Sequence, residues 1–193
     1  MLNIKDMNTS VENALASVRA SIRAEFGRYF DQLIPNSYLE LQKKRLGASL
    51  HEITDIHSLE AVLKGPGFYV IFSSCTVKGQ PSRLTLPDGR RAIYRGEGRF
   101  VQRRVESHLF NAMHKRLYME RKQKDASEQH YGICMKIEKS ENGINVDLRP
   151  YSLEKWAVLV VSLPKSLSVV RKQAETAFDL RFGTPAASRD VPK

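Results

Sequence analysis

Two uninterrupted apolar runs, Phe68–Ser74 (FYVIFSS) and Ala157–Leu163 (AVLVVSL), constrain the fold most. Each has the length and the β-branched and aromatic content of a strand, and each falls far short of the roughly 20 apolar residues of a membrane span. Both therefore read as buried strands. The first follows the strong breaker Gly65-Pro66-Gly67, and the second runs into Pro164. Arg91–Arg95 (RAIYR) reads as a third strand, reached through a loop containing Pro81, Pro87 and Asp88-Gly89 and ended by Gly96 and Gly98. The expected fold class is α+β: a small, mainly antiparallel three-stranded sheet flanked by helices, with an N-terminal helical region and an inserted β-hairpin.

Thr9 and Glu12 have capping-box spacing, and Val11, Leu15, Val18, Ile22, Phe26, Tyr29 and Leu33 then recur every three or four residues. This predicts an amphipathic helix ending at Pro35, whose apolar stripe must bury against the body of the protein or a second copy. Shorter helices are expected over Tyr38–Leu46 and Ser58–Lys64, a long basic helix over Arg99–Lys122, and a last helix from Pro164 or Ser166 to Phe182, stopped by Gly183 and Pro185. Ile133–Lys139 and Ile144–Arg149, joined at Glu141-Asn142-Gly143, carry a hairpin signal. The expected organisation is a helical region over residues 1–64, a sheet-bearing domain over 65–188 with the hairpin inserted at about 131–150, and a loose tail over 189–193.

The formal net charge of +10 and pI of about 9.7 suit a polyanionic partner, because cationic side chains that neutralise phosphates release condensed counterions. Cys75 and Cys134 have neither zinc-ligand nor disulfide-framework spacing and read as structural thiols of a reducing cytoplasm. No apolar signal core follows a basic start, so the expectation is a cytoplasmic protein with no membrane partner.

The chemistry lies in an ordered set: a strand with Tyr69, a strand with Tyr94, a helix with Arg104 and His108, and a later helix with Glu175. Arg104 and His108 are four apart and share a helical face, while Val101, Val105 and Leu109 form the neighbouring apolar stripe that can lie on the sheet. Phosphodiester cleavage calls for such a mixture. A carboxylate holds a hard cation that stabilises the leaving oxygen, a guanidinium donates to the phosphate as charge builds, and a phenol or imidazole orients the water and takes its proton.

At these residues the chain resembles the GIY-YIG nuclease superfamily, which includes homing endonucleases, some type II restriction enzymes and the incision subunit of bacterial nucleotide-excision repair. Gly67-Phe68-Tyr69 and Tyr94-Arg95-Gly96 match the two name-giving motifs, and the run from Tyr94 through Arg104 to His108 is the most diagnostic part of a resemblance covering Gly67–Ser188. It implies the GIY-YIG fold and a Mg²⁺-dependent DNA endonuclease, with Mn²⁺ able to substitute, of restriction or mobile-element defence type. By the same resemblance Tyr69 is the general base or orients the water, Tyr94 supports the water or phosphate, Arg104 stabilises the phosphate, His108 relays protons and Glu175 is the single metal ligand. Four departures stand out: Phe68 and Arg95 in place of isoleucine, Glu97 where lysine is common, Ser188 in place of an asparagine, and about 45 residues between His108 and the next strand. Glu97 removes a cation and offers a second carboxylate to a metal.

Lys78, Arg83, Arg90, Arg91, Arg95, Arg99, Arg103, Lys115 and Arg116 are the candidate DNA contacts, with the Arg83–Arg91 loop and the hairpin as candidate readers of sequence. Packing of the N-terminal helix within the chain is the first expectation for its apolar stripe, and a homodimer through that helix or the insert is the alternative. The alternatives are a less specific nuclease of repair, recombination or interbacterial antagonism, a DNA-binding module without turnover, and a protein that binds or cuts RNA.

Overall fold

The computed structural model describes residues 4–33, 47–79, 82–110, 135 and 144–188. Its centre is a four-stranded antiparallel sheet of β1 (Ala48–Ile53), β2 (Gly67–Ser73), β3 (Arg91–Gly98) and β4 (Trp156–Ser162), in the order β1-β4-β2-β3. The expected three strands are all present, the third running on through Gly96 to Gly98 instead of ending at Arg95. The fourth, β1, is a correction: it lies in the region read as wholly helical and pairs along β4, from Ala48 opposite Val161 to Ile53 opposite Trp156.

The two apolar runs are the inner strands because both of their faces are covered, and a strand covered on both faces reads as unbroken apolar sequence. Phe68, Val70 and Phe72 of β2 face one core with Leu159 and Val161, while Tyr69 and Ile71 face a second core with Val158 and Val160. The period of two along a strand sorts the residues this way. The first core is closed by α1 (Ile4–Leu33) and α3 (Ser168–Phe182), and Phe30 of α1 packs against Phe68, Phe178 and Phe182 with ring centroids 5.5, 5.9 and 6.2 Å away. The second is closed by α2 (Val101–Leu109) through Val101, Val105 and Leu109, with Leu59, Val62, Phe110, Met135 and Ile144 around them. Residues before Gly65 thus share the sheet and the core with those after it.

The Gly65-Pro66-Gly67 breaker also organises the start of α2. The first amides of a helix lack intrahelical partners, and here Val101 N donates to Gly65 O (3.1 Å) and Gln102 N to Leu63 O (2.9 Å). Pro66 O accepts from Leu163 N (3.0 Å), which ties the same loop to the end of β4.

Three further expectations shift. The helix read over Arg99–Lys122 starts at Val101 and breaks off at Phe110, which is fully buried and forms a bridge with Asn145; residues 111–122 lie outside the described residues. Ile144–Arg149 is not a strand: after that single bridge the chain turns, and the second arm of the expected hairpin is absent from the described residues. The segment near Ser58–Lys64 is a 3₁₀ helix over Ile56–Ala61, capped by Asp55, whose Oδ1 accepts from Ser58 N (2.9 Å). The expected Tyr38–Leu46 helix, the arm Ile133–Lys139 apart from the buried Met135, Cys134 and the tail lie outside the described residues.

Candidate active site

Tyr69 and Tyr94 come from adjacent strands and project into the same core, Tyr69 being paired with Gly96 and Tyr94 with Ile71. One turn separates Arg104 from His108 on α2, which crosses this face. His108 Nε2 lies 2.8 Å from the Tyr69 hydroxyl. Its ring is 4.3 Å from that of Tyr94 and 5.9 Å from that of Tyr69, and the two tyrosine rings are 6.2 Å apart. Tyr69 and His108 have no exposed surface and Tyr94 has 8%, whereas Arg104 is half-buried and forms the rim.

Two glycines make this cluster sterically possible. A β-carbon on Gly96 would sit 2.4 Å from the Tyr69 hydroxyl oxygen, and one on Gly98 would sit 3.0 Å from Arg104 Cγ. The Tyr-x-Gly-x-Gly run therefore has a packing cause: the first glycine leaves room for the neighbouring strand's phenol, and the second lets the arginine fold back along β3.

Burial raises the Tyr69 phenol well above its ordinary value of 10, and the nearby Tyr94 raises it further, while the charge of Arg104 and its hydrogen bond pull it down. At neutral pH the phenol is protonated, so it donates to His108 Nε2 when that ring is neutral. The Glu175 carboxylate acts on this phenol only electrostatically, as the smallest of these influences.

Glu175 lies on α3, which covers the opposite face of the sheet from the two tyrosines, and its carboxylate sits beside Arg95 of β3. Burial pushes its carboxyl up from 4.5 to about 7; Arg95 opposes the shift, Glu97 and Asp179 add to it, and Lys172 opposes it. Arg95 Nη1 is 3.7 Å from Glu175 Oε1, too long for a hydrogen bond. A carboxylate held this way, repelled by two others, suits a hard cation that takes one protein oxygen and completes its shell with water and phosphate oxygens. Among the described residues, no three His, Cys, Asp or Glu side chains gather into a metal-binding group.

Arg95 departs from its expected role. It does point away from the tyrosines, but only 3% of it is exposed, and it forks onto Asp179, with Nε donating to Oδ1 at 3.0 Å and Nη2 to Oδ2. A buried, doubly bonded guanidinium has no face for DNA. Arg90 is corrected for the same reason. It is 6% exposed, Nη2 donates to Glu52 Oε1 (2.7 Å), Nη1 donates to Trp156 O (3.0 Å) and to Glu52 Oε2, and Nε lies 2.7 Å from Asp88 Oδ2 without hydrogen-bond alignment.

Glu97 is not placed as a second ligand either, since it accepts from Arg171 Nε (2.7 Å). Arg83 is exposed, yet its Nη2 donates to Arg181 O (2.9 Å) at the end of α3, where a cation complements the helix terminus. Lys78, Arg91, Arg99 and Arg103 are exposed, and the last two guanidinium carbons lie 5.6 and 5.5 Å from the ring centre of the exposed Phe100. Lys115 and Arg116 lie outside the described residues.

Asp179 and Arg171 join the site beside the residues marked by the sequence. Arg171, Glu175 and Asp179 recur every fourth residue on α3 and meet Arg95 and Glu97, which alternate on β3, so opposite charges match along the strand–helix seam. That shared spacing was the available signal. Ser188 Oγ accepts from Arg95 N (2.9 Å), so the residue standing where the asparagine was expected holds the backbone of β3.

No protein-family model, curated protein or solved structure matches the chain.

Proposed function

We propose that this chain is a divalent-metal-dependent endonuclease of GIY-YIG type that hydrolyses phosphodiester bonds in DNA. The observation that carries the reading is the 2.8 Å contact between the Tyr69 hydroxyl and His108 Nε2, with Tyr94 and Arg104 in the same wall and Glu175 within electrostatic reach. A buried phenol is a poor base by itself. Bonded to a neutral imidazole, it can take a proton from an attacking water as its own proton passes to His108. Arg104, at the rim, donates to the non-bridging oxygens as charge develops there. Glu175 would hold Mg²⁺ or Mn²⁺, which supplies charge stabilisation at the leaving oxygen. Lys78, Arg91, Arg99 and Arg103 are the described cations best exposed for backbone contact. Restriction or mobile-element defence is the preferred setting, with a less specific nuclease of repair, recombination or antagonism as the alternative.

A second reading, a DNA-binding module without turnover, is favoured by one observation: Arg95 is a buried cation 3.7 Å from the carboxylate that must hold the metal. The test is cleavage of supercoiled plasmid with Mg²⁺ or Mn²⁺ by wild type, Glu175→Ala and Arg104→Ala, beside gel-shift binding. Nuclease function predicts nicking by wild type, none by Glu175→Ala, about a hundredfold loss in Arg104→Ala, and near-equal binding by all three. Binding without cleavage by wild type on varied DNA supports the module.

A further inference from the structure

Every described side chain of α1 from Ile4 to Ser21 is exposed, including Ile4 (70%), Met7 (49%), Val11 (51%), Leu15 (47%) and Val18 (56%). These five continue, at steps of three, four, four and three, the stripe that Ile22, Phe26 and Tyr29 extend toward the core. About 27 Å of helix thus stands clear of the body with its apolar seam open, a length of helix that is marginal in water unless the seam is covered. The lower end of the seam opens into a groove of about 420 Å³ lined by Ile22, Phe26, Tyr29, Val161, Leu163 and Val170, with Glu25 and Ser162 also in its wall.

From the open seam and its charges, we infer that α1 pairs antiparallel with α1 of a second copy of this chain, forming a two-fold symmetric dimer. In the register that sets Val11 opposite Val18 of the partner, Met7 meets Ile22, Leu15 lies beside the axis, and Ile4 reaches Phe26 and the groove. Charge complements this register. Glu12 and Arg19 flank the same side of the stripe, and in an antiparallel pair Glu12 of each copy comes beside Arg19 of the other. The contact is isologous, so it closes at two chains. The dimer stands whether or not the site cleaves DNA.

Light scattering after size exclusion, and sedimentation over about 1 to 100 µM protein, should give twice the 22.0 kDa chain mass for wild type and the single-chain mass for Leu15→Glu and for Val11→Glu. Register is tested by oxidising a mixture of two chains, one carrying Ile4→Cys and the other Phe26→Cys, with Cys75 and Cys134 replaced by serine. The mixed disulfide should dominate over either homodimeric one. Monomeric wild type across the range overturns the proposal, as it would if another segment of the same chain lay on the seam. A dimer unaffected by both glutamates, or disulfides only between identical positions, also overturns it.

Discussion

Gly96→Ala tests the packing cause assigned to the Tyr-x-Gly run. The added methyl would meet the Tyr69 hydroxyl oxygen at 2.4 Å, Cζ at 2.6 Å and Cε1 at 3.1 Å, and Tyr69 is fully buried and held at His108, so the ring cannot simply swing into solvent. Forcing a methyl into a filled core costs about 1–3 kcal/mol. With a urea m-value on the order of 2 kcal/mol/M, the unfolding midpoint should fall by about 0.5–1.5 M. If the phenol is the obstacle, the penalty should depend on it. Leucine at 69 ends before the three clashing atoms, so adding Gly96→Ala to Tyr69→Leu should cost less than about 0.5 kcal/mol, giving a coupling of about 1–2 kcal/mol in a double-mutant cycle. The assay is urea unfolding of the four proteins followed by far-UV circular dichroism. Equal penalties in the two backgrounds would refute the reasoning, since they would mean that glycine is needed there for its backbone alone.

Two other perturbations act on the β3–α3 seam. Because burial lifts Glu175 to about 7, the folded state keeps that proton longer than the unfolded chain, so the stability tied to the neutral carboxyl is full below about 4.5 and is lost as pH rises to about 7. Across that window wild type should lose up to about 3 kcal/mol relative to Glu175→Gln, measured by urea melts at pH 4.5 and 8, and a pH-independent difference would count against the buried, raised carboxyl. Asp179→Asn strips the 3%-exposed Arg95 of its forked partner and should destabilise by about 3 kcal/mol, whereas Arg95→Met, which removes the buried charge itself, should cost clearly less; thermal or urea melts rank the two.

What could be read from sequence alone follows how local each cause is. Phe68–Ser74 and Ala157–Leu163 announced themselves because covering both faces of a strand leaves an unbroken apolar run. β1, with the sequence ASLHEI, carries a weak pattern of its own and becomes a strand because β4 offers it an edge more than a hundred residues later. The end of α2 was hidden because Phe110 leaves the helix for Asn145, a tertiary preference. Tyr69, Tyr94, Arg104 and His108 were legible through spacing on two strands and one helical turn, and the structure brings them together. Arg90 and Arg95 read as surface cations because a basic residue looks exposed until its carboxylates appear, and those carboxylates, Glu52 and Asp179, lie 38 and 84 residues away.

The outer rim of β3 is already occupied by the protein's own chain. Leu84 O accepts from Ala92 N (3.0 Å), Ala187 N donates to Ile93 O (2.9 Å), and Ser188 Oγ takes the Arg95 amide. Trimming the chain before Ala186 would bare a row of unspent amides and carbonyls beside Tyr94, the kind of template onto which stray strands from other molecules add. A shortened recombinant product should therefore clump at concentrations where the full chain stays clear.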